Sequence, residues 1–541
     1  MPSFPNDANL RAKMAKINPL AKTPQNGDVL AYNDDTNKFE PKTPELSSIK
    51  INNLTDGDVL VYDRDHGYWK NAASAGGVSC LLKVTCTSGA TVIIKDTTDP
   101  TNEKEFFNGV IESGTKDFAV TLEHSYTLHQ EKDAEVSKDK TIKITNLIHS
   151  VKLAFITKYA VHINTNNASA SSSVSYPDGY DNSGFTPAKM EADGSKFNWG
   201  SWKEAFFLPR SCMLKSDGTV DYYLKETDPT LKEDGSASDV ANTAYDGNAM
   251  MEWGDIWFGF FPDSTGYKFV VADGEDDGLY DYCNIAKDLT RKDHFYTPKY
   301  FGSLINGKCR SLSGQTCINK TTRSAERGYA EANGTGWSTE SFGERQLINH
   351  LLVLMAKTLD TQGAYGNGIC NAGSAQKTGT TDSKGTGLFY GTTANKTEGM
   401  RVFGMENYWG NMWRAIEGWV TDASGYNLVK MCYGTADGTT ENNYSESGTG
   451  YIQRNKTTGT SGSEISKMSV AAKTGVIPET LDGETTNLNK YFCDGHWTGS
   501  GTYAIVGGSW NFGLLCGAFC SYLFYAPGDT GTNIGCAVSY R

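Results

Sequence analysis

Long apolar runs are missing from this 541-residue sequence. No stretch approaches the roughly 18 apolar residues that a membrane-crossing helix needs. The opening "MPSFPNDANLRAKMAKINPL" has neither an apolar core nor a small-residue cleavage site, so no secretory leader is expected. Basic charge is also scarce: 50 Lys and Arg stand against 63 Asp and Glu, a net of −13. That balance argues against nucleic acid or an anionic membrane as partner. The eight histidines are scattered and form no zinc motif, and no acidic loop has calcium-binding spacing. Twelve cysteines are present, mostly without metal-type spacing. In a protein made in a cytoplasm they are expected to be reduced, buried and small, and no disulfide framework is expected.

What is present is globular: 38% hydrophobic and 11% aromatic residues, with 58 glycines and 11 tryptophans. This predicts a multidomain, loop-rich protein with aromatic anchors. A short amphipathic helix is expected within 1–20, through Leu10, Met14 and Ile17. In 21–77 a repeat follows. "NGDVLAYNDDTNKFEP" and "DGDVLVYDRDHGYWKN" align without gaps, Gly27 with Gly57, Val29 with Val59, Leu30 with Leu60, Tyr32 with Tyr62 and Phe39 with Trp69. Each copy reads as a β-hairpin, and lone hairpins are unstable, so a trimerising stem is expected. After the linker "ASAGG", the alternating strands of 78–155 predict an immunoglobulin-like β-sandwich that acts as a spacer.

From 156 to 541 tryptophan and glycine become frequent and loops lengthen, as expected of an α+β domain. One helix stands out in "STESFGERQLINHLLVLMAKTLDTQ", where Leu347, Leu351 and Met355 share a line beside Ile348 and Leu352. Ser341 and Glu344 have capping-box spacing. In "GMENYWGNMW", Trp409 and Trp413 are expected to pack as a pair, and Glu406, Asn407 and Asn411 to satisfy the backbone of nearby loops.

The closing segment, "GGSWNFGLLCGAFCSYLFYAPGDTGTNIGCAVSYR" (507–541), mixes turn formers with large apolar side chains. Trp510, Phe519, Leu523, Ile534 and Tyr540 read as buried posts. Phe512, Leu514, Leu515, Ser521, Tyr522, Phe524, Tyr525, Gly528, Asp529, Gly531, Ala537 and Val538 read as an outward, ligand-binding face. Exposed Phe and Tyr suit a binding surface, because they offer large area at little entropic cost.

Three stretches together carry a resemblance: Cys212 to Phe258, Val402 to Trp419, and the closing segment. With them, the chain resembles the variable proteins of diversity-generating retroelements. The hairpin repeats separately resemble units of trimeric phage tail fibres. The first resemblance implies a C-type lectin fold of the formylglycine-generating-enzyme subclass over 156–541. It also implies codon-level diversification of the last segment by adenine-directed miscopying. Codons of the form NNC cannot encode Lys, Glu, Gln, Met or Trp, and none of these five follows Trp510. The implied function is that of a tail-tip receptor-binding protein, a homotrimer on the virion. Its implied partners are a host surface receptor (protein or glycan) and tail or baseplate proteins, with no nucleic acid, no membrane insertion, no cofactor and no catalysis. The alternatives are a variable adhesin displayed on a bacterial surface and a formylglycine-generating-type cysteine oxidase.

Other chemical motifs are weak. "GSLINGKC" (302–309) nearly matches a phosphate loop, but Cys309 stands where a hydroxyl is needed. Cys493 and His496 in "CDGH" make half a metal site, expected to be structural. Cys516 and Cys520 lie four apart, whereas the oxidase pair is five apart, and no cation lies nearby in the segment to lower a thiol pKa. The carbohydrate-binding triplets of calcium-dependent lectins, Glu-Pro-Asn and Gln-Pro-Asp, are absent.

Overall fold

The computed structural model describes residues 79–541, except 134, 147, 154, 435–443, 447, 449 and 486–489. Before residue 79 it describes the strands at 29–33, 38–42, 49–50, 59–63 and 68–72. The expected helix through Leu10, Met14 and Ile17 lies outside the described residues. The chain divides into two compact units, Met1–Phe155 and Ile156–Arg541, and β-strands dominate both.

In the first unit the repeat gives two hairpins in equivalent register. Strand Val29–Asn33 pairs with Lys38–Lys42, setting Tyr32 opposite Phe39. Val59–Asp63 pairs with Tyr68–Ala72, setting Tyr62 opposite Trp69. Residues 79–153 form two sheets, one built around Ala90–Asp96 and Ser125–Lys132, the other around Ser79–Thr85. Alternate residues of these strands, including Leu82, Val84, Val92, Ile94, Tyr126 and Leu128, meet in one core. Strand Ile148–Lys152 runs parallel to Ser79–Thr85.

The second unit is organised around helix Phe342–Ala356. Its capping box forms as the sequence predicts: Ser341 Oγ accepts from Glu344 N, and Glu344 reaches back to the Ser341 N–H. Lys357, left-handed at φ 53°, ends it. All fifteen residues of the helix are buried, so the apolar line seen in the sequence is one side of a helix enclosed all round. The polar residues Arg345, Gln346, Asn349 and His350 are inside as well, and each finds a hydrogen-bond partner.

Two large sheets flank this core. In the nine-stranded sheet the central order is Trp413–Thr421, Tyr503–Val506, Ser521–Tyr522, Gly495–Trp497, then Ser463–Ala471, with Ile534–Gly535 added parallel to Trp413–Thr421. In the six-stranded sheet, Val538–Tyr540 lies between Phe295–Pro298 and Trp337–Thr339. The closing segment therefore supplies strands to both.

Residues 303–310 form a hairpin, Ser303–Ile305 with Lys308–Arg310, and the next described helix starts only at Arg323, too far along the chain to complete a phosphate loop. Trp409 and Trp413 do not pack as a pair. Trp409 belongs to the main core and Trp413 to a separate cluster under the nine-stranded sheet, because Trp413 begins a strand and its direction follows the pleat of that sheet. Glu406 accepts from the N–H groups of Gly379 and Thr381, both at 2.8 Å. Asn411 bonds Gln376 through both ends of its amide.

Candidate functional site: an aromatic face on a hydrogen-bonded frame

The backbone of 507–541 is tied to other parts of the unit at short intervals. Gly410 N donates to Gly507 O at 3.0 Å, Gly513 N to Cys370 O at 2.8 Å and Leu523 N to Trp497 O at 2.9 Å. Tyr503 N donates to Tyr525 O, Arg323 N to Pro527 O, Lys320 N to Gly531 O and Trp413 N to Asn533 O, at 2.9–3.1 Å. From the central helix, Asn349 Nδ2 (2.7 Å) and Arg345 Nη2 (3.3 Å) both donate to Ala518 O. Asp494 accepts from Phe519 N at 2.7 Å, and burial pushes its carboxyl well up. Gly508, at φ 81°, lies where an added Cβ would be 2.3 Å from Cys516 Sγ, so the start of the segment needs glycine for both conformation and space.

On this frame sits a cluster of aromatic rings. Trp413, 1% exposed, is the floor. Phe512 meets it edge-on at 4.8 Å between centroids, and Tyr522 lies at 5.5 Å. Trp497 lies 5.2 Å from both Phe512 and Tyr522. Tyr525 stacks on Tyr522 at 5.5 Å, and Phe524 approaches Tyr522 edge-on at 6.0 Å. Each such pair adds roughly 0.5–1.5 kcal/mol beyond area burial, so the patch holds itself in place. Phe524 is the outermost ring, 62% exposed.

The expected outward residues divide. Phe512, Leu514, Leu515, Tyr522, Tyr525 and Gly531 are half-buried, while Phe524, Gly528 and Asp529 are exposed. Asp529 Oδ2 accepts from Ala526 N at 2.8 Å, so its side chain also closes its own turn. A Cβ added at Gly528 would touch nothing within 4 Å. The space next to its backbone is open.

Three expected positions are off the face. Ser521 is 1% exposed, and Ala537 and Val538 are wholly buried. Ser521 lies on a strand paired on both sides, to His496 and Val506, and its Oγ lies 2.8 Å from His496 Nδ1. Ala537 and Val538 enter the strand between Phe295–Pro298 and Trp337–Thr339, with Ala537 O accepting from Glu340 N. Among the expected posts, Phe519, Leu523 and Ile534 are buried, whereas Trp510 and Tyr540 are half-buried. Trp497 was not read as a site residue from sequence. Its partner strand lies 25 residues ahead in parallel register, Trp497 beside Tyr522, and no local pattern announces such a pairing.

A buried ionic cluster supports the turn beneath the face. Arg323, wholly buried, bonds Glu326 and Glu417 at 2.9 Å each, and its own N–H holds Pro527 O. Arg327 bonds Glu417 and Glu446. Burial opposes ionisation of Glu417, but Arg323 and Arg327 outweigh it and hold its carboxyl below the usual range.

Cys516 and Cys520 are both wholly buried, and burial pushes both thiols well up, the reverse of what a reactive thiolate requires. All twelve cysteines are buried. Among the described residues no group of three or more His, Cys, Asp and Glu is placed to hold a metal ion, and no helix is long and apolar enough to cross a membrane.

His496 stacks on Trp419 at 6.1 Å. Burial lowers its pKa from 6.5 to about 3. A folded pKa below the unfolded one means that the unfolded chain binds the proton first. The stability that His496 contributes is therefore present above pH 6.5 and lost as pH falls toward 3. Replacing it with Asn is expected to flatten the stability profile across that window, by up to about 1.4 kcal/mol per pH unit. Denaturant midpoints at pH 7, 5 and 4 check this, and parallel profiles for the two proteins would contradict it.

No family model matches this chain, and no curated protein matches it. Among solved structures it is similar to the Major Tropism Determinant M1 variant, at 12% identity and a TM-score of 0.25, with 77% of this chain and 80% of that chain covered. It is similar over the same shares to the Major Tropism Determinant P3c variant, at 13% identity and a TM-score of 0.23.

Proposed function

We propose that this protein is a phage tail-tip adhesin without catalytic activity. In this reading unit Ile156–Arg541 has a C-type lectin-type fold, presents the face on 507–541 to a host surface receptor, and varies that face by retroelement-driven diversification. The hairpin stem assembles a homotrimer and joins it to tail proteins of the virion. One observation carries the reading. Phe512, Tyr522 and Tyr525 are half-buried and Phe524 exposed, while backbone groups at or beside them, Gly513 N, Leu523 N and Tyr525 O, are bonded to residues outside the segment. Side chains can therefore change there without removing the bonds that hold the backbone. Gly528, with open space around it, fits the same logic. The names of the solved structures above agree with this reading without carrying it.

Three copies matter energetically, because a modest contact per tip becomes firm attachment once several tips engage together. A sedimentation mass of one chain for the full-length protein would remove the trimer from this account.

Phe524→Ala tests the binding face. The ring is mostly solvated and, among the described residues, pairs with the ring of Tyr522 alone, so the melting temperature is expected to stay within about 2 °C. Adsorption to host cells is expected to fall roughly tenfold or more, as for a binding hot spot. Unchanged adsorption would remove Phe524 from the binding face.

A further inference from the structure

Two cysteines far apart in sequence meet behind the closing segment. Cys309 lies on the second strand of the hairpin at 303–310, opposite Leu304. Cys536 directly follows the strand Ile534–Gly535. Both are wholly buried, in one apolar cluster with Phe301, Ile318, Met412 and Val538. Their sulfur atoms are 3.7 Å apart across 227 residues of sequence.

The surroundings keep this meeting place clear. Gly302 donates its N–H to Cys536 O at 3.0 Å. A Cβ at position 302 would lie 2.4 Å from Cys309 Sγ and 2.5 Å from Cys536 O. Gly302 is not among the positive-φ residues, so its conformation does not demand glycine. The space beside the two sulfurs does.

We propose that Cys309 and Cys536 form a disulfide once the protein meets an oxidising environment, cross-linking the closing segment to the hairpin at 303–310. The oxidant is a small disulfide of the glutathione class. One cysteine loses its proton and attacks an oxidant sulfur; the oxidant's S–S bond breaks, and one glutathione leaves and takes up a proton. The second cysteine then loses its proton and attacks the protein sulfur of the mixed disulfide, releasing the second glutathione. Two protein thiols are oxidised and one small disulfide is reduced to two thiols. The sulfurs must close from 3.7 Å to about 2.05 Å. The Cys309 contact and burial push the Cys536 thiol well up, so the reaction needs transient opening and runs slowly in the folded protein.

The cross-link would restrict the unfolded chain over a long loop and stabilise the frame beneath the face rather than the face itself. This inference concerns the frame and stands whether or not the face binds a receptor.

The test uses the full-length chain, purified reduced and then incubated with oxidised glutathione at 37 °C. Two of the twelve thiols are expected to disappear, with a mass loss of about 2 Da and no retained glutathione. Non-reducing peptide mapping is expected to join the Cys309 and Cys536 peptides. The melting temperature is expected to rise by about 5–10 °C, reversibly with dithiothreitol. Cys309→Ala is expected to lose the oxidant-dependent rise. If that variant does not fold, the reduced and oxidised natural chain still supply the comparison. A full complement of thiols, a lasting glutathione adduct, a different cysteine pair, or an unchanged or lower melting temperature would overturn the proposal.

Discussion

Glu417→Gln is expected to lower the stability of the Ile156–Arg541 unit by about 3–5 kcal/mol, because it leaves buried arginines short of their counter-charge. Glu417 is 3% exposed and serves Arg323, Arg327 and the Thr339 hydroxyl together. Glutamine keeps the volume and one acceptor but removes the charge, so the loss measures electrostatics and not packing. Glu326 and Glu446 still face the two arginines and place the cost toward the lower end of that range. Ten of the eleven tryptophans lie beyond residue 155, so tryptophan fluorescence in a denaturant titration reports this unit. A loss under 1 kcal/mol would mean that the remaining carboxylates suffice. Because Arg323 also holds Pro527 O, local loosening is expected around 526–529.

Trp413→Ala is the second large effect. Removing a fully buried indole costs about 3–5 kcal/mol. Here it also withdraws the floor on which Phe512, Tyr522 and Trp497 rest. The variant is expected to lose host adsorption even at temperatures where circular dichroism shows it folded, although Trp413 is too buried to touch a receptor. Paired with Phe524→Ala, it separates contact from support: the outer ring is expected to affect binding alone, the floor both binding and stability. Adsorption retained by folded Trp413→Ala would show that the rings keep their positions without it.

Local features were legible in the sequence. The strand pairing of the two hairpins repeats thirty residues apart, as the aligned copies predict, and the capping box at Ser341 and Glu344 places the start of the central helix. The boundary between posts and outward residues was legible only in part. Phe524 lies in a loop just past the short strand Ser521–Tyr522, where a large apolar residue stands out. Ser521, Ala537 and Val538 are small residues whose burial depends on strands brought from positions near 295, 338, 496 and 506. No period within the segment encodes those neighbours. Trp497 escaped notice for the same reason, being joined to Tyr522 by a parallel pairing that local patterning does not reveal.

The place of Val538–Tyr540 in the six-stranded sheet bears on biosynthesis. The strands on either side of it, at 295–298 and 337–339, leave the ribosome roughly two hundred residues earlier and must wait with an open seam between them. Contacts so distant along the chain make folding slow, and an unfilled sheet edge invites pairing with other chains. Any product cut short before residue 538 would keep that seam open and stay exposed to cellular proteases, so the polypeptides that survive are those whose closing segment has been read through to its last strand.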